Sequence, residues 1–293
     1  MATNVLTPRR ATFVGFGAIL LWASLALLAT LAGPVPPFQM TAMAFALAFC
    51  LALVKWVAGR EAIGQHLALP GRVWALGIGG LFGYHVLYFA ALALAPPVEA
   101  NLLNYLWPLL IVVFSGLLPG ERLRWWHLAG TFAGLIGCVV LIGGGTAGVR
   151  PEYAAGYLAA LGAALTWSGY SVLSRRVREV PTDAVGGFCG ATALLAFLAH
   201  LVFEQTYIPQ GREWLAILAL GLGPVGAAFY LWDIGVKRGD IRSLGALSYL
   251  TPLLSTLLLV VFGRAEPSLR LAVACLLIVG GAVLASREMW RGR

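Results

Sequence analysis

Ten apolar runs, each close to the ~20 residues a helix needs to cross a hydrocarbon core, occupy nearly the whole chain. They fall at about 11–32, 37–58, 72–94, 97–119, 125–144, 153–175, 183–203, 213–236, 241–262 and 268–287. Turn chemistry ends them, at Gly33-Pro34, Gly59, Pro70-Gly71, Pro96-Pro97, Pro119-Gly120, Pro151, Pro181, Pro209, Gly239 and Pro267. Of the 293 residues, 60% are hydrophobic and 11% charged, against about 25% charged in a soluble domain. So few charges cannot cover a water-facing surface, and the lipid bilayer is the expected solvent. The expected class is all-α integral membrane, with ten transmembrane helices. The net charge of +8 sits in short clusters at the ends of the runs. That is the pattern of topology signals and excludes a nucleic-acid face.

Lys and Arg counts set the orientation. With the N-terminus inside, sixteen of the 20 basic residues fall on cytoplasmic segments, and only Arg150, Arg212, Arg264 and Arg270 fall outside. Both termini are therefore expected in the cytoplasm. Arg9-Arg10 precede a first run too long for a signal-peptide core, so that run reads as a retained span. Cys50, Cys138, Cys189 and Cys275 stand singly in apolar runs without CxxC or Cys/His spacing. They read as small core residues, with no disulfide, no metal and no cofactor expected.

The chain carries an internal duplication. Tyr105-Leu106-Trp107-Pro108-Leu109-Leu110 returns 144 positions later as Tyr249-Leu250-Thr251-Pro252-Leu253-Leu254. Gly17-Ala18 with Trp22 pairs with Gly162-Ala163 and Trp167, and Gly137 with Val140-Leu141 pairs with Gly280 and Val283-Leu284. The copies are expected over 1–150 and 151–293. Five spans per copy is an odd number, so the second copy enters the membrane from the other side. The repeats are expected to be inverted, with a site where they meet near mid-membrane.

Several side chains exceed what lipid asks for. Asn101, Asn104, Tyr105 and Pro108 stand at i, i+3, i+4 and i+7, on one helical face, with Trp107 one turn from Asn104. Amides in hydrocarbon need partners, so this stripe is either interhelical glue or the wall of a wet cavity. The third run adds Tyr84, His85 and Tyr88. His85 reads as a buried neutral ring, a substrate contact or a proton carrier. Trp22, Trp167, Tyr170, Tyr230 and Tyr249 complete the mid-depth aromatics. Trp56, Trp74, Trp125, Trp126, Trp214 and Trp290 read instead as interfacial belt residues. Gly79 and Gly83 make a GxxxG spacing for close helix packing. Asp233 and Lys237, four apart, read as an ion pair. Pro108, Pro224 and Pro252 lie inside runs, where each removes a hydrogen bond and kinks the helix. They are either static kinks or hinges.

No P-loop, HExxH or GxSxG occurs, so an enzyme is not expected and transport would be secondary or facilitated. The Trp22 and Trp167 segments, both Tyr-Leu-x-Pro-Leu-Leu copies and Gly120-Glu121-Arg122-Leu123 resemble the EamA-type branch of the drug/metabolite transporter superfamily, over essentially the whole chain. Tyr84-His85 with Tyr88, and Asn101 with Asn104-Tyr105-Leu106-Trp107-Pro108, look most like the aromatic amino-acid exporters of that branch. The resemblance implies a bacterial inner-membrane exporter whose central cavity takes aromatic amino acids and related hydrophobic or cationic compounds outward. Gly245 and Ser248 replace the two asparagines in the second copy, which implies an asymmetric site. The expected partners are a small-molecule substrate and the bilayer, with the chain a monomer. A multidrug or other metabolite exporter, or a membrane assembly subunit without transport, are the competing readings.

Overall fold

The computed structural model describes residues 6–142, 150–263 and 266–290, and among these every regular element is a helix. Arg264, Arg291 and Arg293 of the charge count lie outside the described residues. We number the long helices α1 (Pro8–Leu31), α2 (Pro37–Ala58), α3 (Gly71–Leu94), α4 (Pro97–Ser115), α5 (Trp125–Ile142), α6 (Ala154–Ser174), α7 (Ala184–Phe203), α8 (Glu213–Arg238), α9 (Ile241–Val261) and α10 (Leu269–Ala285). Eight of them, all but α6 and α10, are long and apolar enough to cross a membrane. Leu158, Val202, Phe203, Leu269 and Leu276 are each more than two-thirds exposed. Such an apolar exterior is stable only in lipid.

Five of these helices are interrupted. In α4 the helix halts at Tyr105-Leu106, and in α9 at Ser248-Tyr249. Each halt lies just before a proline. Pro108 and Pro252 have no N–H for the carbonyl four residues back, and their rings crowd it. In α9 that carbonyl, on Ser248, takes the Thr251 amide at 3.0 Å instead. α8 widens to a π-turn over Gly223–Ala227, which contains Pro224. The wider register offers the freed carbonyls a donor one residue further on. α3 has a matching π-turn over Gly79–Gly83, made without proline, and α1 breaks at Ser24.

Close approach follows from small residues. A Cβ on Gly15 would fall 2.9 Å from the Gly235 Cα, which brings α1 against α8. A Cβ on Gly80 would strike the Tyr170 ring at 2.3 Å, which seats α3 on α6. The GxxxG pair does not serve this purpose. Nothing lies within 4 Å of a Cβ on Gly79, and Gly83 meets only Thr166 at 4.0 Å. The π-turn rotates that pair away from the contact face, and Gly77 and Gly80 take its role against Phe188 and Tyr170. α2 packs on α7, α5 on α10, α1 on α8 and α3 on α6.

The end of the bundle that carries both described chain ends is tied by ions. Glu121 accepts from Arg175 at 2.8 Å and pairs with Arg242 at 3.4 Å. Arg175 also donates to the carbonyls of Val236 and Gly239. Glu288 reaches Arg124 at 3.6 Å, and the Asp240 amide donates to the Thr12 hydroxyl at 2.8 Å. Asp240 caps α9 by accepting from the Arg242 and Ser243 amides. Burial pushes its carboxyl up, but the Arg242 guanidinium and the Ser243 hydrogen bonds outweigh that and hold it below the usual carboxylate range. At the opposite end the Glu204 carboxylate accepts the Phe38 and Gln39 amides, capping α2 from the end of α7.

The Asp233–Lys237 pair forms at 3.0 Å but is almost wholly buried, not at a wet interface. The Thr182 hydroxyl donates to Asp233, and Lys237 donates to the Val180 carbonyl, which adds a further partner to each charge. Trp56 and Trp126 also depart from the belt expectation. Trp56 is fully buried, stacked on His66 at 4.5 Å, and Trp126 is 7% exposed beneath Arg287. Trp125 and Trp214 are exposed, as belt residues would be.

Two predictions follow the charges. Lys237→Met strands a buried carboxylate and should cost about 3–5 kcal/mol, whereas Asp233→Leu with Lys237→Met should recover most of it. Thermal unfolding in detergent reads both, and an equal loss in the double variant would contradict the account. Asp240 has a folded pKa below its unfolded value of about 3.9. Its contribution is thus present above that value and lost as pH falls through the folded pKa. Asp240→Asn should lower the melting temperature at neutral pH, and its deficit should shrink as the pH is brought below about 4.

Candidate functional site

The interruptions surround one cavity of about 600 Å³, lined from α1, α2, α3, α4, α6, α8 and α9. It reaches from Trp22 and Trp167 in the interior to Gly33, Val35 and Pro37 at the α1–α2 connection. It therefore extends toward the end opposite the chain termini.

Its floor is a knot of indoles. Trp22 lies 5.6 Å from Trp167 and 6.4 Å from Trp107, near edge-on in both cases. Trp107 and Trp167 meet at 6.4 Å and 89°. Trp232 closes the knot from below, 5.1 Å from Trp22 and 6.0 Å from Trp107. Edge-to-face contacts suit the ring quadrupoles, each worth about 0.5–1.5 kcal/mol beyond area burial. Two N–H groups have partners, the Trp22 indole on the Pro224 carbonyl and the Trp232 indole on the Ser171 hydroxyl, both at 3.0 Å. Pro224 thus turns a carbonyl toward the floor as well as bending α8.

The wall from α3 and α4 is polar. Tyr84 and Tyr88, one turn apart, stack at 5.8 Å. The Tyr88 hydroxyl donates to Asn101 Oδ1 at 2.6 Å, and Asn101 Nδ2 donates to the Pro97 carbonyl at 2.8 Å. Asn104 Nδ2 donates to the Tyr84 hydroxyl at 3.2 Å. His85 Nδ1 lies 2.7 Å from the Leu81 carbonyl, within the π-turn. The His85 ring is boxed by Phe45 at 5.3 Å, Tyr84 at 5.3 Å and Phe89 at 5.8 Å. Thr251 and Ser255 face the cavity from α9.

Trp22, Tyr84, His85, Tyr88, Asn101, Asn104, Tyr105, Trp107 and Trp167 all line this cavity. Tyr170, Tyr230 and Tyr249 are not among its lining residues. Tyr170 packs beside Trp167 at 5.3 Å, over Gly80. Tyr230 lies against Gly186 of α7. Tyr249 is fully buried against Gly134 of α5. Pro108 and Pro252 shape the cavity from behind, through the helix halts. Phe45, Phe89, Phe229, Thr41, Thr251, Ser255 and the second half of α1 join the lining without a sequence signal. A lone Phe in an apolar run looks the same whether it meets lipid or cavity. Trp232 carried a usable signal, since an indole on the i+2 side of Tyr230 points to another face, and that face is the inner one.

A second cluster, Glu61, His66 and Asp183, brings ligand-type atoms within 4.8 Å of one another. Asp183 already pairs with Lys55, and Glu61 pairs with His66 at 2.7 Å. Its charges are met by side chains.

The sequence matches the EamA-like transporter family twice, over residues 9–143 and 154–287. The chain is 58% identical over 278 residues to the aromatic amino acid exporter YddG of Ancylobacter novellus, covering 94% of this chain and 96% of that one. It is 23% identical over 306 residues to the exporter of the same name from Escherichia coli, covering 98% and 100%. A probable terminal-alkyne amino-acid exporter of Streptantibioticus cattleyicolor is 26% identical over 222 residues, covering 74% of this chain and 73% of that one. A solved crystal structure superposes with a TM-score of 0.92 at 57% identity, covering 96% of this chain and 98% of its own. The chain belongs to the EamA-like transporter family, and is a multi-pass membrane transporter.

Proposed function

We propose that this transporter exports aromatic amino acids and related hydrophobic metabolites across the bacterial inner membrane, by alternating access through the indole-floored cavity. The observation that carries the reading is the cavity itself. Three tryptophans, backed by Trp232 beneath them, and a tyrosine pair adjoin two asparagines around a space of about 600 Å³. Ring burial and edge contacts suit an aromatic side chain, and neutral amides suit a zwitterion that must later be released. The 58% identity to an aromatic amino acid exporter supports the same cargo.

The ten helices are ten spans in this reading, with α6 and α10 included, and residues 1–150 and 151–293 form inverted repeats. Equivalent irregularities support this. The π-turns of α3 and α8 and the halts of α4 and α9 are five helices apart. The packing pairs also exchange under that shift, with α1–α8 becoming α6–α3 while α2–α7 and α5–α10 map onto themselves. With both termini cytoplasmic, the cavity opens to the periplasm and the Glu121–Arg175–Arg242 ties close the cytoplasmic side. Opening inward requires those ties to part, and Pro108, Pro224 and Pro252 mark where the helices bend. Trp22, Tyr84, His85, Tyr88, Asn101, Asn104, Tyr105, Trp107 and Trp167 hold the cargo, and Tyr170, Tyr230 and Tyr249 support them from behind. The chain acts as a monomer, its cavity being complete within one copy.

A broader cargo range is the second reading. The relative named for a terminal-alkyne amino acid favours it.

In proteoliposomes loaded with labelled phenylalanine, Trp167→Ala or Tyr105→Ala should slow transport about tenfold or more, the loss of at least one ring contact and its burial. Trp125→Ala, at an exposed residue outside the cavity lining, should retain full rate. Full activity in both cavity variants would contradict the site.

A further inference from the structure

At the end of the bundle that carries both described chain ends, one cation stands without an anion. Among the described residues, Arg287, just past α10, has no hydrogen bond and no carboxylate within ion-pair reach. Its guanidinium carbon lies instead 3.5 Å from the centroid of the Trp126 ring and 5.7 Å from that of Trp125. Those two indoles meet at 5.9 Å and 82°, and so form a corner. Arg124 lies over Trp126 as well, at 5.0 Å. Both cations therefore share one ring, within about a Debye length of each other.

The carboxylates nearby do not neutralise them. Glu121 and Asp240 are committed to Arg175 and Arg242. Glu288 is spread over Arg124 at 3.6 Å, His127 at 3.9 Å and Arg242 at 4.0 Å, all too long for a hydrogen bond. Arg122, two positions before Arg124, adds a further exposed cation. Stacking on an indole occupies the flat face of a guanidinium and leaves its N–H edge free. That edge matches a phosphate through parallel charge-assisted hydrogen bonds.

From this corner two apolar stripes lead into the bilayer. On α5 the exposed residues are Leu128, Phe132 and Ile136, four apart and so near one face, with Trp125 at their head. On α10 they are Leu276, Val279 and Val283, and Arg287 follows Val283 by four positions. The two helices are in close contact, since a Cβ on Gly130 would fall 2.4 Å from the Gly281 carbonyl oxygen. Neither helix lines the cavity, so this surface is separate from the cargo site. A phospholipid has the same layout, apolar chains below a phosphate. A zwitterionic headgroup would bring its own ammonium to a corner already in positive excess, whereas an anionic headgroup would not.

We propose that the Arg287–Trp125–Trp126 corner, with Arg124 beside it, binds the phosphate of an anionic phospholipid whose chains lie along α5 and α10. The occupant is a lipid and not free phosphate, because the stripes below the corner contribute only through acyl chains.

The test uses the full chain in neutral detergent. Native mass spectrometry counts bound lipid as phosphatidylglycerol, or phosphatidylcholine of the same chains, is titrated in. Phosphatidylglycerol should bind at about tenfold lower concentration. Arg287→Ala and Arg124→Ala should each weaken its binding about fivefold, the effect of one arginine beside an anionic lipid, and leave phosphatidylcholine within about twofold. Arg178→Ala removes the same charge from an exposed residue between α6 and α7, and should leave both affinities unchanged. Glycerol 3-phosphate, which has the phosphate without chains, should not displace the lipid at equal concentration. Equal binding of the two lipids, an equal loss in Arg178→Ala, or displacement by glycerol 3-phosphate overturns the proposal. Should Arg287→Ala fail to fold, Arg124→Ala decides. A fivefold loss there supports the proposal, and an unchanged affinity overturns it.

Discussion

A bilayer offers backbone N–H and C=O groups no partner, and most of this architecture descends from that. Every described element is a helix because only the helix satisfies its own backbone within one segment. The same constraint says where helices can be interrupted. The breaks in α4, α8 and α9 all carry proline, and all lie beside the cavity or just behind its lining. The carbonyl freed four residues before Pro252, on Ser248, takes the Thr251 amide, and at the widened turn of α8 the carbonyl of Pro224 itself accepts the Trp22 indole. A kink, once made, leaves space between helices, and that space is the cavity. Cavity and irregular backbone are therefore one feature, seen from two sides.

Packing decides what fills the rest. Without a hydrophobic drive between helices in lipid, contact rests on close fit and on buried polar links. Gly15 against Gly235 and Gly80 against Tyr170 provide the fit. The links are unequally distributed. Ion pairs collect at the end bearing the chain termini, while the described cavity lining holds neutral amides, hydroxyls and indoles. In the proposed reading a lining without fixed charge lets a zwitterion enter without strong trapping, and the charged end is the tie that must part for inward opening.

Much of the fold could be read from the sequence, and for definable reasons. Run lengths and turn residues placed the helices within a few positions, since the bilayer sets a minimum apolar length. The stripe at Asn101, Asn104 and Tyr105 stood out because amides in hydrocarbon need an explanation, and the cavity supplies it. Signals failed where residue type does not distinguish surroundings. Phe45 and Phe229 line the cavity but look like lipid-facing residues in sequence. Tyr230 and Tyr249 were expected at the site from their ring and depth, yet each turns into a helix contact beside a glycine. Trp56 carries a belt residue's position but not its exposure, because Glu61 and His66 fold back over it. The π-turn in α3 left no proline to announce it, and it moved the expected glycine contact from Gly79 and Gly83 to Gly77 and Gly80.

The central proposal is that the cavity opens to the periplasm and holds an aromatic amino acid. Ser255 of α9 lines it and differs from cysteine by one atom. With the four native cysteines replaced, Ser255→Cys in intact cells should react with a membrane-impermeant maleimide added outside, and saturating phenylalanine should slow that reaction. Labelling from the cytoplasmic side alone, or an outside rate that phenylalanine leaves unchanged, would contradict it.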